Sequence, residues 1–97
     1  MQQYVIIARD GSDEDALKRR MNVRSNHLEN VKTLRSHGNY IVGGAMLNSK
    51  GNMCGSVMIV QFETNEEFQK WYDQEPYIKQ GVWEMIEVQP FRVAMVE

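Results

Sequence analysis

The sequence predicts an α+β sandwich with the ferredoxin-like order β-α-β-β-α-β, and three observations carry the prediction. Short β-branched and aromatic runs alternate with two segments of helical periodicity. Each helical segment opens on a capping pattern and closes on a Gly or Pro stop. The chain has 97 residues, which suits one domain spanning 1–97 with a modest core and little room for a second. The layered solution for such an order packs both helices on one face of a four-stranded antiparallel sheet.

Taken in order, Tyr4-Val5-Ile6-Ile7-Ala8 is short and β-rich, hence a strand. Ser12 with Asp15 three residues on gives a capping-box helix start, and Asp13, Glu14 and Asp15 suit the positive end of the helix dipole. The helix runs toward Arg35 and stops at Gly38-Asn39. Two strands follow, Tyr40 to Val42 and Val57 to Phe62, joined by a loop around Asn48 to Asn52. Thr64 with Glu67 opens a second helix with a Phe68, Trp71 and Tyr72 stripe, which must end before Pro76. A last strand spans Trp83 to Gln89, with Pro90 bending or ending its pairing.

Both faces of these strands read as apolar. Val57 and Ile59 oppose Met58, Val60 and Phe62, while Val82, Ile86 and Val88 oppose Trp83, Met85 and Phe91. Two helices cover only one face, so the other is expected to meet a second copy in a homodimer.

The first long helix carries charge inside its apolar stripe. At about 100° per residue, Leu17, Met21, Arg24, Leu28, Val31 and Arg35 fall on one stripe, with Arg20, His27 and Leu34 along its edge. A guanidinium turned toward a core loses hydration worth several kcal/mol unless a carboxylate, carbonyl or bound anion answers it. Long side chains that snorkel or bridge to an acid across the core would account for any one of these residues. The three together, Arg20, Arg24 and His27, define a small polar cavity for an anion, with an imidazole that exchanges a proton near neutral pH.

Composition narrows the function classes. The hydrophobic fraction of 42%, charged fraction of 25% and net charge of -2 recruit neither nucleic acid nor an anionic membrane. The N-terminal apolar run is too short for a membrane span and is followed by Arg9 and Asp10. A single cysteine, Cys54, and two histidines, His27 and His37, offer no internal disulfide and no metal-ligand spacing. The expectation is a cytoplasmic protein without metal or cofactor. Cys54 lacks a Cys-His spacing and reads as structural; His37 reads as a helix-dipole partner. Gly43-Gly44 is too short for a phosphate loop, and the seven methionines read as core filler.

Several segments, in order, resemble the YciI-like (YCII-related) family. Val23-Arg24-Ser25-Asn26-His27-Leu28 is similar to its Arg-x-x-His-Leu helix motif. Gly43-Gly44-Ala45-Met46 stands at its Gly-Pro-Met-like turn, with Ala45 in place of proline, and Gly55-Ser56 at the opening of its third strand. Glu75-Pro76-Tyr77, Gly81-Val82-Trp83 and Val88-Gln89-Pro90-Phe91 resemble its Asp-Pro-Tyr, Gly-Val-Tyr and terminal Val-x-Pro-Phe segments. The resemblance implies a dimeric α/β barrel of two ferredoxin-like protomers, each with a pocket between helix and sheet. It also implies a His-carboxylate acid-base pair, here His27 with Glu75, whose side chain is one methylene longer than the usual Asp. Asp73 is the nearby alternative, at the expense of the Pro-Tyr match. One relative is a dehydrochlorinase of a hydroxylated aromatic ring, and muconolactone isomerase shares the wider fold.

In chemical terms, a carboxylate on one ring nitrogen fixes the tautomer of His27, which becomes acid or base. Arg20 and Arg24 hold a carboxylate or enolate oxygen, Ser56 offers a hydroxyl and a backbone N–H, Gly44 backbone donors, and Tyr77 a phenol or a stacking face. Two functions fit: a cofactor-free isomerase, lyase or dehydrohalogenase on a small anionic, cyclic or aromatic substrate, or a non-catalytic module that senses or carries a small anion. A haem- or quinol-directed monooxygenase is a weaker third.

Overall fold

The computed structural model describes residues 1–96. Its elements are β1 (Gln2–Asp10), α1 (Ala16–Ser36), β2 (Tyr40–Leu47), β3 (Met53–Phe62), α2 (Asn65–Gln74), α3 (Pro76–Lys79) and β4 (Trp83–Phe91). The four strands form one antiparallel sheet in the order β2-β3-β1-β4, the ferredoxin-like arrangement the sequence predicts. All three helices, one more than expected, belong to the sandwich. The additional α3 is a single turn that opens on Pro76, whose ring pre-sets helical φ, and Glu75 caps it.

The helix boundaries follow local chemistry. α1 begins at Ala16 rather than behind Ser12, and Asp15 is its N-cap without a side-chain cap bond. Residues 13–15 form a preceding turn in which the Ala16 amide donates to the Asp13 carbonyl (3.1 Å), and Arg19 donates to the Asp13 carboxylate (2.8 Å). That exposed pair holds the Asp13 carboxyl below its usual value, chiefly through the Arg19 hydrogen bond. Gly38 at φ 75° ends the helix, as the Gly-Asn stop requires. Thr64 caps α2 by accepting from the Glu67 amide at 3.1 Å.

One irregularity moves a residue between faces. The β1–β4 register shifts between Arg9 and Asp10, where β4 carries the extra residue Glu84, so Trp83 turns toward the helices together with Ile86 and Val88, opposite Asp10, which continues the inward alternation of Tyr4, Ile6 and Ala8. Strict alternation from the sequence puts Trp83 on the opposite face from Ile86 and Val88, and the bulge overturns it. Pro90 pairs with Tyr4 inside β4 and does not end the strand; β4 lies at a sheet edge, where a missing N–H is tolerated. Gly43, Gly44 and Ala45 continue β2 instead of making a turn.

The core lies between helices and sheet. Tyr4, Ile6, Ala8, Met58, Val60 and Phe62 meet Val23, Leu34, Phe68, Tyr77, Val82 and Trp83. The far face carries Val5, Ile7, Val57 and Ile59, with Val42, Met85 and Phe91 exposed. No helix among the described residues is long and apolar enough to cross a membrane.

Candidate functional site

The buried face of α1 runs through Ala16, Arg20, Val23, His27 and Leu34. The row placed on the edge of the stripe is therefore its centre. Met21 and Leu28 are exposed and Arg24 is half-buried at the rim. That side of α1 faces inward because Arg20 and His27 find polar partners on β1, β3 and the α2–α3 link.

Glu75 is fully buried at 0% exposure, and its Oε1 lies 2.6 Å from His27 Nδ1. With an ionised carboxylate, Nδ1 is the donor. The same Oε1 accepts from the Tyr77 amide at 3.1 Å, while Oε2 is buried without a partner. The link between α2 and α3 thus aims the carboxylate: Pro76 forces the chain to turn, and the α3 cap holds Oε1 against the imidazole. Glu75 spans this gap despite its extra methylene. Asp73 instead accepts from Gln69 on the outside of α2. The Tyr77 ring stacks on His27 at 4.0 Å between centroids and 13° between planes, and Trp83 meets the imidazole edge-on at 6.1 Å.

Arg20 finds an acid that sequence reasoning missed. Its Nη1 donates to both oxygens of Asp10, at 3.0 and 3.1 Å, and both side chains are 3% exposed. Nη2 donates to Ser56 Oγ at 2.8 Å, and Trp83 Nε1 donates to the same oxygen at 3.3 Å. The guanidinium also sits 4.7 Å over the Tyr77 ring, a cation-π contact. Burial pushes the Asp10 carboxyl above its usual value, and Arg20 pulls it back. Burial likewise raises the Tyr77 phenol, against the pull of Arg20 and Arg24. The sequence signal for Asp10 is its phase: it continues the alternation of Tyr4, Ile6 and Ala8 on the inward face of β1.

These residues surround a cavity of about 100 Å³ between α1 and the sheet, lined by Arg20, Arg24, His27, Gly44, Ser56 and Tyr77 among others. Of the residues assigned to the site from the sequence, Arg20, Arg24, His27, Gly44, Ser56 and Tyr77 line this cavity and Glu75 stands behind His27. Ser56 pairs with Ala8 on one side and Ala45 on the other, so its backbone belongs to the sheet and its hydroxyl is what faces the site. Arg24 is without an acidic partner among the described residues. Cys54 is a half-buried free thiol on β3, outside the cavity lining. No cluster of three metal-ligating side chains occurs among the described residues.

Fold and cavity define a ferredoxin-like α+β protein with a buried imidazole–carboxylate pair under its long helix. A family model described as YCII-related domain matches residues 2–92, and the chain belongs to that family. It is 36% identical over 95 residues to Protein YciI of Escherichia coli and of Shigella flexneri, covering 92% of this chain and 95% of theirs. An uncharacterized protein of Haemophilus influenzae is 32% identical over the same share of both chains. Among solved structures, it is similar to the 5-chloro-2-hydroxyhydroquinone dehydrochlorinase TftG of Burkholderia phenoliruptrix, in complex with 2,5-dihydroxybenzoquinone. The TM-score is 0.81 at 22% identity, with 95% of both chains covered. A dimeric ferredoxin-like protein from an uncultured marine organism gives a TM-score of 0.56 at 13% identity over 100% of both chains. Likeness at such identities is one of fold, and one protein on that fold is an enzyme.

Proposed function

We propose that this protein is a cofactor-free acid–base enzyme, of isomerase, lyase or dehydrohalogenase type, that moves a proton on a small anionic, cyclic or aromatic substrate. The observation that carries the reading is the 2.6 Å contact of His27 Nδ1 with the fully buried Glu75 carboxylate, behind an imidazole that lines a cavity. With Nδ1 committed to Glu75, Nε2 is the nitrogen that takes up or delivers a substrate proton. Glu75 holds the tautomer and compensates the imidazolium while the proton is on the ring. Stacking on Tyr77 fixes the ring plane. Arg24 anchors the substrate's charge, and Arg20, Ser56, Tyr77 and Gly44 shape the rest of the pocket. The reaction of TftG, a dehydrochlorinase on a hydroxylated ring by its name, is of the same proton-moving kind.

The protein is further read as a cytoplasmic homodimer whose open sheet faces meet, supported by the apolar residues on that face and by a dimeric neighbour of the same fold. The test is turnover, or exchange of substrate C–H for deuterium, across hydroxylated aromatics and lactones. His27→Ala is expected to lower the rate about 10²- to 10⁴-fold with ligand affinity retained, Glu75→Gln to lower it through the tautomer, and Glu75→Asp to retain activity. Undiminished turnover in His27→Ala overturns the mechanism. Binding without turnover in the unaltered protein, unaffected by all three changes, assigns the pocket to a sensor or carrier.

A further inference from the structure

The charges around the cavity are nearly all answered, and the remainder points to a kind of ligand. Asp10 and Glu75 stand behind the cavity wall, one against Arg20 and the other against His27. No acidic side chain lines the cavity itself, and Arg24 is the one lining arginine without an acidic partner among the described residues. With a neutral imidazole, the charges of Asp10, Arg20, Arg24, His27 and Glu75 cancel; with an imidazolium they leave one positive charge. One negative charge on a ligand is therefore met by Arg24. A second would face two buried carboxylates with no cation left to meet it.

Two polar atoms also lack partners. Tyr77 Oη and Arg20 Nε are buried without a hydrogen bond, and both residues line the cavity. A ligand oxygen that enters as these side chains shift toward it would relieve them. The space, about 100 Å³, is below the roughly 150 Å³ of an apolar cavity that accepts benzene, so the ligand is small or leaves part of itself outside.

We propose that the cavity selects small monoanions bearing a second oxygen acceptor, such as hydroxy or oxo acids, and that Asp10 sets this selectivity by cancelling Arg20. The inference rests on the cavity being a ligand site, as read above, and adds its charge rule. Asp10 acts through Arg20 and is a positioning residue. Calorimetric titration with three acids of equal chain length, butanoate, 2-hydroxybutanoate and succinate, reads the rule directly. The wild-type protein is expected to bind 2-hydroxybutanoate at least about tenfold more tightly than either of the others. Equal or tighter binding of succinate, or no binding of any of the three, overturns the proposal. Tyr77→Phe is expected to erase the advantage over butanoate, and Arg24→Gln to lower 2-hydroxybutanoate affinity by about tenfold or more.

Asp10→Asn releases Arg20 as a second cation and is expected to close the gap between succinate and 2-hydroxybutanoate by about tenfold. A uniform loss for all three acids, which a merely structural role would give, overturns the role of Asp10. Asp10→Asn/Arg20→Met strands no charge and is expected to restore the wild-type order of charge preference even if the single variant folds poorly. Deuterium exchange by the same protein preparations on hydroxylated aromatics and lactones separates the two readings. Absent transfer across the hydroxylated aromatics and lactones, with these ratios intact, refutes the enzyme and leaves the charge rule standing, whereas intact transfer there with the ratios lost refutes the charge rule alone.

Discussion

Asp10 and Arg20 show how much one residue pair decides in a chain of this size. Both are almost wholly buried and lie 3.0 Å apart, so removing one partner leaves an uncompensated buried charge. Asp10→Asn is expected to destabilise the protein by about 3–5 kcal/mol, and Asp10→Asn/Arg20→Met to recover most of that loss. Chemical denaturation of the three proteins checks both values. A double variant as unstable as the single one would mean that the ion pair is not the source of the loss. Neither residue advertised the other in the sequence: Arg20 was legible as a buried helix cation and Asp10 shares the inward phase of Tyr4, Ile6 and Ala8, but their meeting depended on how α1 lies across β1.

Tyr77 gives a pH prediction at the same scale. Burial raises its phenol above the ordinary value, so the unfolded chain releases this proton at lower pH than the folded one. Stability is then intact below the ordinary phenol pH, about 10, and is lost as pH rises through the higher folded value. Tyr77→Phe is expected to flatten this alkaline limb. At neutral pH it should change stability by no more than about 1 kcal/mol, because the hydroxyl it removes has no partner. Thermal melts from neutral to alkaline pH compare the two proteins; identical alkaline limbs would show that the phenol is not shielded.

Among the elements, the two helices differ in how well their local chemistry predicted them. For α2, the Thr64 cap and the stop before Pro76 are both as the sequence predicts, because each depends on residues within one turn. Thr64→Ala is expected to cost about 1 kcal/mol, read as a lower denaturation midpoint with an unchanged slope. For α1, periodicity gave the right helix with the wrong centre. Hydrophobicity put the middle of the stripe at Arg24, but the buried line passes through Arg20 and His27, since those side chains have partners on β1, β3 and α2–α3. Periodicity weighs apolar residues and cannot see a polar side chain that is satisfied from another element. The strands show a sharper constraint at Gly55, where an added Cβ would meet Met46 Cε and lie 2.5 Å from the Ala8 carbonyl oxygen. Gly55→Ala is expected to push β1 from β3 and destabilise by about 2 kcal/mol or more. Wild-type stability in this variant would mean that the strands part without loss.

For the molecule as a whole, the sandwich leaves one sheet face bare, with Val5, Ile7, Val57 and Ile59 half-buried between exposed Val42, Met85 and Phe91. The proposed homodimer covers that face. Ile59→Asp is expected to dissociate it, seen by light scattering as a fall from twice the chain mass to 11.3 kDa. A wild-type mass of one chain at every concentration would remove the dimer.

The sequence by itself determined the order of the four strands and two main helices, the helix stops and the family, because strand periodicity, caps, glycine stops and short motifs are written over a few neighbouring residues. It also marked Arg20, Arg24 and His27 as polar residues on an apolar helix, and the family likeness pointed to Glu75. Tertiary structure decided what those residues touch. The β4 bulge that turns Trp83 inward, the one-turn α3 that seats Glu75 against His27, and the rotation that buries Arg20 and leaves Arg24 at the rim are fixed by contacts between residues 10 to 73 positions apart. Such contacts form only when sheet and helices close on one another, since a buried charge is tolerated only where the fold brings its partner.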